Sequence, residues 1–306
     1  MTIPKYSRTG FAGVARLTSA KYTVFVEGKS HDAVYYERLL ASHETIASEG
    51  TRLIRSAEMS DTDTGTGGKS AVLDHHEYFK TTGALAIHTK SGTKHMVFLL
   101  DRDYDEFAQV LDTSPNIIYT HGTDVEAEIY RQGDLTRALC TVFSLTQEES
   151  RKLTKSIDNF AFELSLRWRQ WIYLCIASVP LRSRCQVKPS LASTINVDRY
   201  GDFDAGAYSE HFEALISSSV IDNPREKFDE VVIAVDALYD QGEYFKLLKG
   251  KLIPDFIIYC IADELGLNSR DLKTKAAQLT LALLDTLNYV AQANYHFKRL
   301  CLLESR

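Results

Sequence analysis

Two short apolar runs, each followed by acidic residues, constrain the fold of this chain more than any other feature. The run YTVFV at 22–26 precedes Glu27, and the run MVFLL at 96–100 precedes Asp101 and Asp103. An apolar run of about five residues between helical segments is typical of an inner strand of a parallel sheet. Since ligands of open α/β sheets bind beyond the carboxyl ends of such strands, we expect Glu27, Asp101 and Asp103 to meet at one rim.

The three acids at this rim predict a metal site. Carboxylates held close together repel one another, and a bound cation commonly neutralises such a cluster. Oxygen ligands suit Mg²⁺ or Mn²⁺ rather than zinc, so we predict that Glu27, Asp101 and Asp103 bind one of these ions. The alternative is that Asp101 and Asp103 are ordinary turn or cap residues after a strand, because short acidic motifs are common by chance.

Strands and helices alternate over the first half of the chain. A helix with Ser30 as its candidate N-cap and Asp32 in its first turn follows Glu27. Further strands are predicted at 53–57 and 116–119, with another helix between them. Strands separated by helices favour a parallel sheet, so the predicted fold class is α/β with a parallel sheet flanked by helices.

The rest of the chain is predicted to be helical. Helical periodicity runs through the segments 146–178, 208–219, 225–240, 243–266 and 270–303. This change of pattern predicts two domains, an α/β domain over 1–140 and a helical domain over 141–306.

Composition is that of an ordinary soluble protein. Of the 306 residues, 44% are hydrophobic and 25% are charged, which is enough apolar material for a buried core. The five cysteines are odd in number and include no Cys-x-x-Cys pair, which favours reduced thiols and a cytoplasmic setting. No apolar leader opens the chain, and the longest apolar stretch, 171–181, is too short to cross a bilayer, so we expect no membrane partner.

The net charge of −6 does not indicate a nucleic-acid partner, but basic residues near aromatic ones suggest a local basic face. The candidate nucleic-acid contacts are Lys29, Arg102, Arg167, Arg169, Arg182 and Arg184. A competing interpretation is that Trp168, Trp171 and Leu174 form the buried stripe of a helix whose arginines face the solvent. We favour this packing interpretation.

A glycine-rich segment at 67–70, with the sequence GGKS, resembles the end of a phosphate-binding P-loop. The leading glycine of that loop is missing, because Asp63 occupies its position, and an ATP-binding P-loop is therefore disfavoured. A solvated loop is the plain interpretation. The functional alternative is that Lys69 contacts a phosphodiester.

A second group of acids follows the predicted strand at 116–119. Asp124, Glu126 and Glu128 lie at the start of a predicted helix, where acids are favoured by the helix dipole whatever the function. Capping is therefore the default interpretation. Because this strand should end beside the strand of Asp101, Asp124 and Glu126 are also candidates for a second metal position.

The histidines give little indication of a metal or catalytic site. His75 and His76 precede Glu77 without the His-Glu-x-x-His spacing of zinc sites, so we assign them to a helix surface. For His121, proton transfer and an ordinary turn position are both open, and we favour the turn position.

Four short motifs, in order along the chain, resemble those of the TOPRIM family, the magnesium module of topoisomerases, primases and OLD-type nucleases. They are Val26-Glu27-Gly28, Gly67-Gly68-Lys69, Asp101-Arg102-Asp103 and Asp124-Val125-Glu126. Within that family, the glycine-glycine-lysine loop and the helical second half are similar to the AriB nucleases of PARIS phage-defence systems. The motifs cover about residues 20–130. One departure is that the acid after Glu27 falls at Asp32, one residue later than is usual, with His31 in its place.

This resemblance implies a TOPRIM-like Rossmannoid sheet and Mg²⁺-dependent cleavage of nucleic acid, with tRNA as the substrate class. Glu27 corresponds to the motif glutamate, and Asp101 and Asp103 correspond to the paired metal ligands. The resemblance also implies an AriA-type ABC-class ATPase as partner, a phage-encoded trigger protein and a homodimer when active. The helical domain would then contact the substrate, the partner ATPase or the second copy of the homodimer. The rival hypothesis is a non-catalytic adaptor bound to such an ATPase.

Overall fold

The chain forms two compact units in the computed structural model. The described residues are 7–28, 31–55, 58, 68–109, 111–185, 187–188 and 194–304. The first unit comprises Met1–Asp101, Asp112–Thr120 and Asn288–Arg306, and the second comprises Arg102–Leu111 and His121–Leu287.

A five-stranded sheet forms the centre of the first unit. Its strands are β1 (Tyr22–Val26), β2 (Thr51–Arg55), β3 (Ala86–Thr89), β4 (Gly92–Leu100) and β5 (Ile117–Tyr119). β1 pairs in parallel with β2 and with β4, β4 pairs in parallel with β5, and β3 pairs antiparallel with β4. The sheet is therefore mixed and mostly parallel. β1 is buried along its whole length and has a neighbour on each side, which confirms it as an inner strand.

Helices account for most of the remaining described residues. They are α1 (Arg8–Leu17), α2 (His31–Ala41), α3 (Glu44–Glu49), α4 (Gly68–Thr81), α5 (Val125–Gln132), α6 (Leu135–Phe143), α7 (Gln147–Ser156), α8 (Phe160–Arg167), α9 (Arg169–Ala177), α10 (Ala205–Ser217), α11 (Pro224–Asp240), α12 (Ile253–Glu264), α13 (Lys273–Leu284) and α14 (Tyr289–Glu304). Short 3₁₀ helices lie at Asp105–Ala108, Tyr244–Lys246 and Gly250–Leu252. The fold class is thus α/β with a helical C-terminal region.

Aromatic side chains build the core of the first unit. Phe25 of β1 and Phe98 of β4 stack with their ring centroids 4.9 Å apart. Phe79 of α4 and Phe11 of α1 pack against Phe25 at 5.7 and 5.5 Å. All four rings are buried, and burial of such large apolar surfaces is the main force that holds the helices on the sheet.

The last helix, α14, belongs to the first unit. The Tyr35 hydroxyl of α2 donates a hydrogen bond to Gln292 of α14, and the Tyr22 hydroxyl of β1 donates one of 2.6 Å to Glu304. α5 and α6, in contrast, belong to the second unit. This grouping differs from a division at residue 140, because helical periodicity records that a segment is a helix and not which core it packs on.

The predicted strands occur with small shifts, and one strand was missed. The strand expected at 53–57 lies at Thr51–Arg55, and the one expected at 116–119 lies at Ile117–Tyr119. β3 was not predicted, since it is short and forms a hairpin with β4 through Gly92, whose φ is +118°. The candidate cap Ser30 and the loop residues 61–67 lie outside the described residues.

Breaks interrupt three of the segments with helical periodicity. The segment 146–178 contains α7, α8 and α9, and the segment 270–303 contains α13 and α14. The segment 243–266 becomes α-helical only at Ile253. The helical periodicity over 243–266 corresponds to two 3₁₀ helices and α12, which carries Pro254 in its first turn. A Cβ at Gly250 would stand 2.1 Å from the backbone nitrogen of Ala127, so this close approach requires glycine.

The tryptophans of the second unit confirm the packing interpretation. Trp168, Trp171 and Leu174 are buried. The indole N–H of Trp168 donates to the carbonyl of Arg199 at 2.7 Å, and that of Trp171 donates to the carbonyl of Lys188 at 2.9 Å. These rings are therefore core residues with their polar groups satisfied, not stacking platforms for bases.

Across the described part of the chain, every helix is either too short or too polar to cross a bilayer. The five cysteines are free thiols.

Candidate functional site

Glu27 and Asp101 come together at the carboxyl ends of two paired strands. Glu27 follows β1 and Asp101 follows β4, and the parallel register places Val26 opposite Leu99. The Glu27 carboxylate oxygen Oε1 accepts a hydrogen bond of 2.7 Å from the backbone N–H of Asp101. The structure therefore brings these two predicted site residues together at the rim of the sheet, and both are half-buried.

Asp32 lies against the backbone of the same strand end. Its side chain is buried, and a Cβ built on Gly28 would stand 1.8 Å from Asp32 Oδ2. Only glycine leaves room for this carboxylate, which explains the glycine that follows Glu27. Asp32 therefore lies at the rim, although it falls one residue later in the sequence than the acid of the TOPRIM motif.

Lys69 reaches the same rim from the start of α4. Its Nζ donates a hydrogen bond of 2.6 Å to the backbone carbonyl of Asp101 and lies 5.8 Å from the centroid of the Tyr119 ring. Tyr119 is the last residue of β5, which runs parallel to β4. The carboxyl ends of β1, β4 and β5 thus share one lysine and two acids that the sequence predicted.

Tyr36 of α2 is a residue of this rim that sequence reasoning missed. Its side chain is buried, and its hydroxyl has no hydrogen-bond partner among the described residues. Burial raises the pKa of this hydroxyl well above its usual value, and the negative charges of Asp101, Asp32 and Glu27 raise it further. The charges of three carboxylates therefore act on one buried hydroxyl.

Asp103 belongs to the second unit, where a lysine holds it. Its backbone N–H donates to the carbonyl of Thr123 at 2.7 Å, and its carboxylate Oδ1 accepts a hydrogen bond from Lys249 Nζ. The φ of Asp103 is +53°, a left-handed conformation that aspartate tolerates better than most residues. Lys249 was missed because nothing in its local sequence signals a partner 146 residues away. Whether Asp103 shares an ion with Asp101 stays a prediction.

Asp124 caps α5, which confirms the default interpretation. Its Oδ1 accepts a hydrogen bond from the N–H of Ala127 at 2.8 Å, and both carboxylate oxygens accept one from the N–H of Gly250 at 3.0 Å. Burial raises the pKa of Asp124 to about 7, and the charge of Glu126 raises it too, while Lys249 and the two amides act in the opposite direction. A metal role for Asp124 or Glu126 stays a prediction.

Glu128, the third acid of this group, has a structural role. Its buried carboxylate accepts hydrogen bonds from the N–H of Gly122 and from Arg131 and Gln132 at 2.6 and 2.7 Å. A buried carboxylate with several donors is satisfied within the fold.

Three of the candidate nucleic-acid residues are engaged within the second unit. Arg102 pairs with Glu106 at 2.9 Å, Arg169 pairs with Asp236 at 2.6 Å, and Arg167 donates to the carbonyl of Tyr200 at 2.7 Å. Arg182 and Arg184 are exposed, and Lys29 lies outside the described residues. A nucleic-acid role for these six residues stays a prediction.

The histidines next to Glu77 are not on a helix surface as predicted. His75 and His76 are both buried in the first unit, because α4 turns this face towards the aromatic core. His75 Nδ1 lies 3.1 Å from the carbonyl of Ala71, and His76 Nε2 lies 3.0 Å from Ser114 Oγ. Burial lowers the pKa of His76. His121 is exposed in a bend.

The residues at the rim fit a hydrated divalent ion. Three or more His, Cys, Asp or Glu side chains do not gather into a ready-made metal cluster anywhere in the described ranges. Mg²⁺ needs no such cluster, since it commonly takes one or two carboxylates and keeps several waters. Glu27 and Asp101 supply the carboxylates, Asp32 packs against Gly28 at the same strand end, and the buried hydroxyl of Tyr36 has no hydrogen-bond partner among the described residues.

Comparison with known proteins does not place this chain in a family. No family model matches this sequence, and no curated protein matches it either. The fold therefore defines a class only: an α/β protein with a mixed, mostly parallel sheet flanked by helices and a helical C-terminal region.

Proposed function

We propose that this chain is a Mg²⁺-dependent endonuclease of the TOPRIM type. The observation that supports it is the meeting of Glu27, Asp101 and Lys69 where β1 and β4 end. In open α/β sheets this edge is where ligands bind, and two carboxylates beside a lysine are chemically suited to a phosphodiester with its metal ion.

Each residue of the rim has a role in this proposal. Asp101 and, from the Asp-x-Asp pattern, Asp103 are ligands of Mg²⁺ or Mn²⁺, and the ion supplies charge neutralisation for the scissile phosphate. Glu27 either shares that ligation or accepts the proton of the attacking water, with its orientation fixed by the Asp101 amide. Lys69 stabilises the negative charge that develops on the phosphate oxygens.

The biological setting is proposed from the four motifs alone. By their likeness to AriB nucleases, the substrate is tRNA, and the protein is a cytoplasmic effector of a bacterial anti-phage defence system. An AriA-type ABC-class ATPase holds it inactive until a phage protein triggers its release, after which it acts as a homodimer.

A cleavage assay with matched variants tests the activity. Purified wild-type protein is incubated with tRNA, with other RNA and with DNA, in Mg²⁺ or in EDTA. Glu27→Gln preserves shape and removes the charge, and Glu77→Gln changes an exposed acid on α4 as the control. We expect Mg²⁺-dependent cleavage by wild type and Glu77→Gln and none by Glu27→Gln. Equal cleavage by all three proteins would refute the assignment.

A non-catalytic adaptor is the second candidate, and the ion pair between Lys249 and Asp103 favours it. An acid that a lysine already neutralises needs no metal for that purpose. Calorimetry with Mn²⁺ separates the two candidates. Binding no stronger than background, and unchanged in Asp103→Ala, supports the adaptor, whereas binding that weakens in Asp103→Ala supports the nuclease.

A further inference from the structure

The hydroxyl of Tyr36 is a buried polar group without a hydrogen-bond partner among the described residues. Leaving such a group unsatisfied costs free energy, and phenylalanine would fill the same space without that cost. A polar atom in this state within a packed core has the capacity to bond a further group, such as a water molecule.

Its neighbour on the same helix shows the ordinary arrangement. The Tyr35 hydroxyl donates a hydrogen bond to Gln292 Oε1, and both residues are buried. The hydroxyl of Tyr35 thus bonds to α14, whereas that of Tyr36 has no partner among the described residues.

The surroundings of the Tyr36 hydroxyl indicate what the partner is. Asp32 lies one helical turn earlier on the buried face of α2, and the charges of Asp101, Asp32 and Glu27 all act on the hydroxyl. An O–H group surrounded by carboxylates is placed to donate a hydrogen bond. Glu27 and Asp101 are half-buried, so solvent can reach them. A water molecule at the rim can accept from the hydroxyl and donate to a carboxylate.

We propose that Tyr36 is a positioning residue, whose hydroxyl donates a hydrogen bond to a water molecule held at the rim by Glu27 and Asp101. This inference rests on the proposed metal site of that rim. Through this water the hydroxyl orders the hydration of the divalent ion, in the way that outer-shell groups tune a metal site.

The test compares two conservative variants, Tyr36→Phe and Tyr35→Phe, in the full chain. Mn²⁺ binding is measured by calorimetry, and thermal unfolding is measured in EDTA. We expect Tyr36→Phe to have a Tm no lower than that of wild type and a Kd for Mn²⁺ raised about 10- to 100-fold. Tyr35→Phe should lower the Tm, because it leaves Gln292 without its donor, and leave Mn²⁺ affinity unchanged.

The outcomes separate this inference from the proposed activity. Unchanged Mn²⁺ affinity in Tyr36→Phe overturns the role of the hydroxyl, whatever happens to the Tm. Weakened Mn²⁺ affinity in a Tyr36→Phe protein of undiminished Tm supports it. If the wild type binds Mn²⁺ through Glu27 yet cleaves no RNA or DNA, the nuclease proposal fails while the effect of Tyr36→Phe still decides this inference. A wild type that binds no Mn²⁺ overturns both.

Discussion

Lys249 and Asp103 form an ion pair across 146 residues of sequence, with Lys249 Nζ donating to Asp103 Oδ1. The lysine side chain is 13% exposed and lies 5.0 Å from the centroid of the Tyr104 ring. A predicted metal ligand is therefore held by a cation that the protein itself supplies. Any ion that binds Asp103 must compete with this lysine.

Removing the lysine should release Asp103 for metal. We expect Lys249→Met to lower the free energy of unfolding by about 1 kcal/mol, since the pair is only partly buried. Mn²⁺ should bind several-fold more tightly, as measured by calorimetry. Lys251→Met, an exposed lysine of the same segment, is the control and should change neither quantity. Weaker Mn²⁺ binding in Lys249→Met would instead show that Lys249 supports the site.

Glu27 should have separable structural and chemical contributions. A glutamine at position 27 can still accept the hydrogen bond from the Asp101 N–H, whereas an alanine cannot. We expect Glu27→Ala to lower the free energy of unfolding by about 1 kcal/mol and Glu27→Gln to leave it nearly unchanged. Both variants should lose nucleic-acid cleavage. Urea denaturation and the cleavage assay together check this, and full activity in Glu27→Gln would contradict a charge-based role.

Lys69 should matter for cleavage more than for stability. Its loss removes a positive charge from the phosphate position, so Lys69→Met should reduce the cleavage rate by about 100-fold or more. Lys80→Met, an exposed lysine on the same helix, should cleave at the wild-type rate. The same variants settle the P-loop alternative, since ATP binding that disappears only in Lys69→Met would favour an ATPase.

Because His76 is buried, we expect the protein to lose stability in mild acid. Because burial lowers its pKa in the folded state, the unfolded chain takes up a proton first as the pH falls below the usual histidine value of about 6.5. The free energy of unfolding should therefore decrease between pH 7.5 and 5.5. The free energy of unfolding of His76→Gln should decrease less over this pH range. His88→Gln, which changes an exposed histidine, should behave as wild type. Urea denaturation at pH 7.5 and at pH 5.5 measures this. Identical slopes in all three proteins would exclude His76 as a source of the effect.

Gly28 should not tolerate a side chain. A Cβ at this position would overlap Asp32 Oδ2 at 1.8 Å, so Gly28→Ala must displace either the strand end or the acid. We expect a loss of stability of about 1–3 kcal/mol in denaturant unfolding. Combining Gly28→Ala with Asp32→Ala removes the clash and should restore part of that loss. Gly13→Ala, with open space around its Cβ in α1, should be neutral or stabilising.

Local sequence could predict those parts of the fold that depend on residues close together in the chain, such as an inner strand or a helix cap. A five-residue apolar run such as that of β1 is well buried only as an inner strand, so the positions of Glu27 and Asp101 at strand ends follow directly. The cap formed by Asp124 is equally local, because its partner Ala127 is three residues away.

Other features depended on contacts between distant segments. The local sequence of His75 and His76 is that of a helix surface, and only the aromatic core of the first unit buries them. The Gly250 amide reaches Asp124 because the start of the 3₁₀ helix at Gly250 packs closely against α5. Spacing along the chain carries no record of such contacts.

The sequence by itself determined that acids would end two inner strands of an α/β sheet, because strand burial and side-chain polarity are local properties. Only the tertiary structure decided which other groups join them: a buried hydroxyl from Tyr36 at the first unit's rim, and an ammonium from Lys249 on Asp103 in the second unit. Those groups approach the acids through packing of helices and turns, and packing depends on the shapes of surfaces that are brought together from distant parts of the chain.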